Sequence, residues 1–169
     1  MSGRLTKEWT ATSEEAFGAS GAKGDKGEDF LMEVFSSWGW HATCHRGLDS
    51  KAAQVTGVDI TFQNPKWVNS YTCDVKANLN DSGVFYVETH AKGWLFNPKK
   101  TSNRIWHVNP STGWMAWYGR EEMKAFILKS RLQGAGLYKI TPGMNIPFIQ
   151  RQRVKLVAKP AETFDDVPY

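Results

Sequence analysis

Apolar residues between Gly24 and Trp38 recur at helical spacing: Phe30, Leu31, Val34, Phe35 and Trp38 fall on one side of a helix that Gly39 would stop. Ahead of it, residues 1–23 are polar, with room for a short helix around Ser13–Phe17 and a small-residue run from Gly18 to Ala22, and are expected to form an N-terminal extension. After Gly39 the apolar period shortens to two. His41–Arg46 reads as a first strand, residues 47–56 as a polar loop, and Gly57–Phe62 and Tyr71–Ala77 as a pair of strands bounded by Asn64-Pro65 and Asn78. Val84–Glu88 reads as a further strand of the same sheet, and this close spacing predicts a meander of hairpins. Arg104–Val108 and Trp114–Tyr118 read as two more strands, and Arg120–Arg131 as a second amphipathic helix with Met123, Phe126 and Ile127 inward and its basic residues outward. Residues 133–149 are punctuated by Gly and Pro and read as irregular; Arg153–Ala158 reads as a last strand and residues 159–169 as a tail. The expected architecture is α/β, one domain over residues 24–158 with a mixed sheet flanked by helices.

The chain has 169 residues, enough for one substantial core and too few for two comfortable domains. A hydrophobic content of 41% and an aromatic content of 13% exclude a mainly disordered protein. Cys44 and Cys73 are the only cysteines and form no CxxC pair, so zinc spacing and a disulfide framework are both excluded; buried, reduced thiols are expected. No apolar run approaches the ~20 residues of a membrane span, and the N-terminus lacks a signal-peptide core, so a cytoplasmic protein without membrane partners is expected.

Candidate chemistry lies in the central strand pair. Asp59 and Asp74 stand where buried strands usually carry apolar residues, and Asp74 and Lys76, two apart, share a strand face. Two carboxylates from neighbouring strands, with the Val75 carbonyl, make half of an octahedral shell of hard oxygens suited to Mg²⁺. Lys76 would offset negative charge developing on a phosphate. Glu28 lies at the edge of the first helix's apolar stripe and could join this group, whereas Glu33 points well away from the stripe; Asp25, Glu33 and Glu88 are its competitors. The bland alternative is an exposed ion pair on a strand, which would contribute little. His41, His45, His90 and His107 show no metal-binding spacing, there is no GxSxG elbow, and the glycines near residue 24 lack the phosphate-loop pattern, so a nucleotide cofactor is not expected.

The order helix glutamate, Gly57-Val58-Asp59, Asp74-Val75-Lys76 resembles the PD-(D/E)XK nuclease superfamily, with its restriction-endonuclease-like fold. Lys26-Gly27-Glu28, the Gly39 turn, Arg46 and Thr56 make the stretch from about residue 24 to 90 most similar to archaeal-type Holliday junction resolvases and phage relatives. It departs from the pattern at Val58, where the family carries proline, and at Asp74, where Glu is frequent. The resemblance implies a Mg²⁺-dependent DNA endonuclease, with Mn²⁺ able to substitute, using Glu28, Asp59, Asp74 and Lys76. It also implies a homodimer cutting branched DNA in recombination, with Thr56 as the hydroxyl before the first aspartate.

Basic residues concentrate in the second half of the chain, interleaved with Trp94, Trp106, Trp114, Trp117 and Tyr118. Such residues neutralise phosphates and stack on unpaired bases, although Trp106 and Trp114 are expected in the core. Lys99, Lys100, Ser102, Asn103 and Arg104, in and beside an open loop, are the expected phosphate contacts. An exonuclease or nicking enzyme on the same fold, and a non-catalytic nucleic-acid-binding protein, are the alternatives.

Overall fold

A computed structural model describes residues 13–46 and 51–155. The elements in chain order are α1 (Ser13–Ser37), β1 (His41–Cys44), α2 (Lys51–Val55), β2 (Ile60–Gln63), β3 (Tyr71–Lys76), β4 (Phe85–Glu88), β5 (Arg104–Asn109), β6 (Trp114–Gly119), α3 (Arg120–Lys129), β7 (Leu137–Ile140) and β8 (Gln150–Arg153). Six strands form one mixed sheet in the order β1-β2-β3-β5-β6-β8, and β4 pairs with β7 in a separate two-stranded sheet. Every pairing in the large sheet is antiparallel except β3 with β5.

Alternation along the strands gives the sheet two apolar faces. Ile60, Phe62, Cys73, Val75, Trp106, Val108 and Met115 face α1 and meet its Phe30, Leu31, Val34 and Phe35. On the other face Ile105, Ala116 and Tyr118 pack with Phe85 and Val87 of β4, Ile140 of β7, and Met123 and Ile127 of α3. The α/β architecture is therefore a large sheet covered on one side by a helix and on the other by a helix and a small sheet.

Several sequence expectations change. The helix does not start at Gly24 but at Ser13, running through the small-residue run. Gly, Ala and Ser are small enough to continue a helix once it is nucleated, so they need not break it. Residues 51–55 of the expected loop form a short helix. The meander holds for β1 to β3, but β3 then pairs in parallel with β5, and β4 leaves the sheet to join β7, a strand within the stretch read as irregular. The last strand is Gln150–Arg153 rather than 153–158, and the tail from residue 159 lies outside the described residues. Trp106 is buried as expected, but Trp114 is 37% exposed. No helix among the described residues is long and apolar enough to cross a membrane.

Helix α1 crosses the sheet most closely at Gly27. A Cβ there would stand 3.0 Å from Ala77 Cβ and 3.2 Å from Val108 Cγ2, whereas one at Gly24 would meet nothing within 4 Å. Gly27→Ala is expected to push α1 off the sheet and destabilise the protein by ~1–3 kcal/mol in chemical denaturation. Gly24→Ala should stabilise it by up to about 1 kcal/mol through helix propensity alone.

Candidate functional site

Asp59 immediately precedes β2, and Asp74 and Lys76 stand near the end of β3. The Val75 N–H donates to Asp59 Oδ2 at 2.7 Å, and the Asp59 N–H donates to Cys73 O at 2.9 Å. These two bonds fix the Asp59 carboxylate against β3. Asp74 is only 4% exposed and pairs with Lys76 Nζ at 3.0 Å, so this is not the exposed ion pair of the bland alternative. The Lys76 ammonium also lies 5.1 Å from the centroid of the Trp94 ring.

Burial first, and then the charge of Asp74, push the Asp59 carboxyl up from 3.8 to about 7. Glu28 pushes in the same direction, while the Val75 bond and Lys76 oppose it. Negative charge is thus concentrated here beyond what one lysine offsets. Glu28 itself is held by Arg46, whose Nε–H donates to Oε2 at 2.5 Å, and it accepts a weaker bond from the Cys44 thiol at 3.5 Å. Arg46 Nη1 pairs with Asp29 at 2.8 Å and Arg46 Nε lies 3.7 Å from Asp25, so one guanidinium gathers three acids of α1. Glu88 serves the loop instead, accepting the Trp94 N–H at 3.1 Å. Among the described residues no group of three or more His, Cys, Asp and Glu is set to hold a metal ion. The carboxylate oxygens within reach of such a role are those of Asp59 and Asp74, a hard-oxygen donor set with surplus negative charge that suits Mg²⁺ or Mn²⁺.

The expected phosphate contacts divide. Lys99 is exposed. Lys100 lays its stem on Gly57, where a Cβ would come within 2.8 Å of Lys100 Cδ, and its Nζ donates to Val55 O. Gly57 has φ +68, a left-handed conformation that an L side chain adopts only with strain, so glycine serves both the turn and the contact. Arg104 spreads its guanidinium over the Tyr71 ring, 4.7 Å from the centroid. Asn103 ties the start of β5 to β3, accepting the Thr72 N–H at 2.9 Å. The Thr56 hydroxyl turns inward to the Ala52 and Ala53 carbonyls, closing α2. Ser102 corrects the reading of an open loop: it is fully buried, and its Oγ accepts from Arg120 Nη2 at 2.6 Å.

Arg120 is a residue that sequence reasoning placed wrongly, on the outside of its helix. It is 4% exposed and donates to Ser102 O, Ser102 Oγ, Leu95 O and Trp94 O. Four neutral acceptors take its protons, and burial pulls its pKa down. The signal was present, because residues 120, 123 and 127 share one helical face with the buried Met123 and Ile127. By pinning both ends of residues 94–102, Arg120 sets Trp94 over Lys76. Next to this clamp, fully buried His107 bridges Asn78 Oδ1 at 2.6 Å and Tyr118 Oη at 2.7 Å. Asn78 Nδ2 donates to Tyr86 O, so Oδ1 is the acceptor, Nδ1 of the imidazole carries the proton and Nε2 accepts from the tyrosine. Burial, with the charges of Lys76 and Arg151, holds His107 well below its ordinary pKa and so neutral.

Asp59→Asn keeps an acceptor for the Val75 N–H and removes the crowded charge. A folded pKa raised from 3.8 to about 7 means that the stability contributed by Asp59 is fully present below pH ~4 and lost as pH rises through 7. The metal-free Asn variant should therefore melt higher than wild type at pH 8, by a few degrees at ~2–4 °C per kcal/mol. The two should converge towards pH 4, read by thermal denaturation in EDTA.

Comparison with protein-family models, with curated proteins and with solved structures finds no match to this chain.

Proposed function

We propose that this protein is a Mg²⁺-dependent DNA endonuclease with a restriction-endonuclease-like fold, acting on branched DNA as a homodimer. The observation that carries the reading is the joining of a buried Asp74–Lys76 pair to a second carboxylate, Asp59, fixed on the neighbouring strand by the Val75 amide. A purely structural pair would gain nothing from a second acid crowded against it, whereas a site built for a cation and a phosphate requires one.

Asp59, Asp74 and the Val75 carbonyl would hold Mg²⁺ or Mn²⁺, which when bound lowers the pKa of water and neutralises charge on the phosphate. Lys76, anchored by Asp74 and the Trp94 ring, presents its ammonium to the attacking water and to the charge growing on the phosphate. Glu28, oriented by Arg46, accepts hydrogen bonds at the margin of the site rather than ligating directly. Lys99, Lys100 and Arg104 receive the DNA backbone, and binding weakens steeply with salt.

The test is cleavage of a four-way junction, a duplex and a single strand by the purified protein in Mg²⁺ or in EDTA. Asp74→Ala and Lys76→Ala are each expected to lower cleavage by at least ~100-fold while junction binding in EDTA persists. Unchanged cleavage in both variants would remove the site assignment. Binding without cleavage by the wild type would favour the non-catalytic alternative. Mg²⁺ should also raise the melting temperature of the wild type and not that of Asp74→Ala, a readout independent of turnover.

A further inference from the structure

Helix α1 leaves one end of its sheet face uncovered, and there a cavity of about 530 Å³ opens. That volume is in the range of sites for small molecules, ~300–1,000 Å³. Eight of its twelve lining residues are aromatic, from Trp40 to Phe148; the others are Arg104, Gly119, Glu122 and Gln150, and none is aliphatic. Flat rings alone select flat ligands.

The walls are already arranged as stacks. The Trp40 and Phe62 rings lie 5.8 Å apart at 8°, and the Trp106 and Trp117 rings 4.3 Å apart at 7°. Trp67 stands at the rim, 36% exposed, with its ring 4.8 Å from Trp40 and 5.3 Å from Tyr71. Its backbone is not loose: the Trp67 N–H donates to Asn64 O, and Gln63 Nε2 donates to Trp67 O. The exposed indole is therefore held in place by the hairpin between β2 and β3. Exposed Lys66 precedes it in the chain. At the other wall Arg104 lies over Tyr71 and donates to Asn103 O, so its charge is met by a ring face and a carbonyl.

We propose that this cavity binds an unpaired nucleobase of the DNA substrate, stacked on the exposed Trp67 indole with its edge towards Tyr71, and with Arg104 and Lys66 on the adjoining phosphates. The inference rests on the reading of the protein as a nuclease and names the structural element of DNA that it selects. Tyr71 precedes Asp74 by three residues, ~10 Å along β3, about three nucleotide steps of a stacked strand. Tyr71 and Asp74 point to opposite faces, so the strand passes over the end of the sheet that carries Lys100, Asn103 and Arg104. A base is free to enter only where pairing is interrupted, as at a junction, a flap or a single strand. Selectivity for branched DNA then arises from capture of the base and needs no reading of sequence.

The test is fluorescence anisotropy of a labelled oligothymidylate and of a duplex of equal length, both in EDTA. Trp67→Ala is expected to weaken single-strand binding about tenfold and leave duplex binding unchanged, with Trp67→Phe restoring it. Arg104→Gln should weaken binding and reduce the slope of log affinity against log salt by about one. Far-ultraviolet circular dichroism verifies the fold of each variant. Single-strand affinity unchanged in Trp67→Ala, or falling equally with duplex affinity, would overturn the proposal. So would sedimentation showing that Trp67→Ala splits a wild-type dimer, which would make the cavity a contact between copies. Cleavage by the wild type and by Asp74→Ala in Mg²⁺ separates the two readings: base capture by a wild type that cleaves nothing leaves this inference standing and removes the nuclease, and wild-type cleavage that is lost in Asp74→Ala, with a neutral Trp67→Ala, does the reverse.

Discussion

The bond from the Val75 N–H to the Asp59 carboxylate is the constraint on which the centre of the molecule depends. It brings a side chain of one strand onto the backbone of the next, and so brings the two acids of the sheet together. Burying like charges is costly, and the cost shows as the pull of Asp59 towards its protonated form. Lys76 returns part of that cost through Asp74. The remainder leaves a local excess of negative charge that only a proton or a cation can remove.

Around this centre the fold supplies rigidity rather than further charge. Arg120 reaches from the first turn of α3 to both ends of residues 94–102, and His107 locks Asn78 to Tyr118 beneath Lys76. Neither group has an acidic partner in these contacts; both are satisfied by carbonyls, amides and hydroxyls. Buried polar groups satisfied in this way specify one arrangement of the loop that lies over the lysine. The two faces of the sheet consequently differ in character. One carries the acids and this polar network together with α3 and the small sheet, and the other is apolar and covered by α1.

Local patterns announced most elements, and long-range pairings did not. The stripe of Phe30, Leu31, Val34 and Phe35 predicts α1 and its buried face, because a helix's neighbours are fixed by spacing alone. The Asp74–Lys76 pairing follows from the period of a strand. By contrast, Phe85–Glu88 reads as a strand, but nothing in its composition says that its partner is Leu137–Ile140 rather than the neighbouring β3. Ser102 looked solvent-exposed because its loop is polar; it is buried because Arg120, 18 residues later, needs an acceptor. The placement of Trp67 and Tyr71 beside Trp40 depends on sheet register, which the bare sequence leaves open.

The parallel pairing of β3 with β5 carries a kinetic consequence. Its partners are joined by the 27 residues from Ala77 to Asn103, so Cys73 meets Arg104 and Lys76 meets His107 only after a long loop has closed. Until then β3 is an edge strand bearing an acid that the finished protein buries. A chain emerging from the ribosome, or a fragment ending before β5, would have Asp59, Asp74 and Lys76 in its sequence and no rigid frame to hold them. The two acids and the lysine therefore reach their final arrangement only with the loop closure that joins β5 to β3.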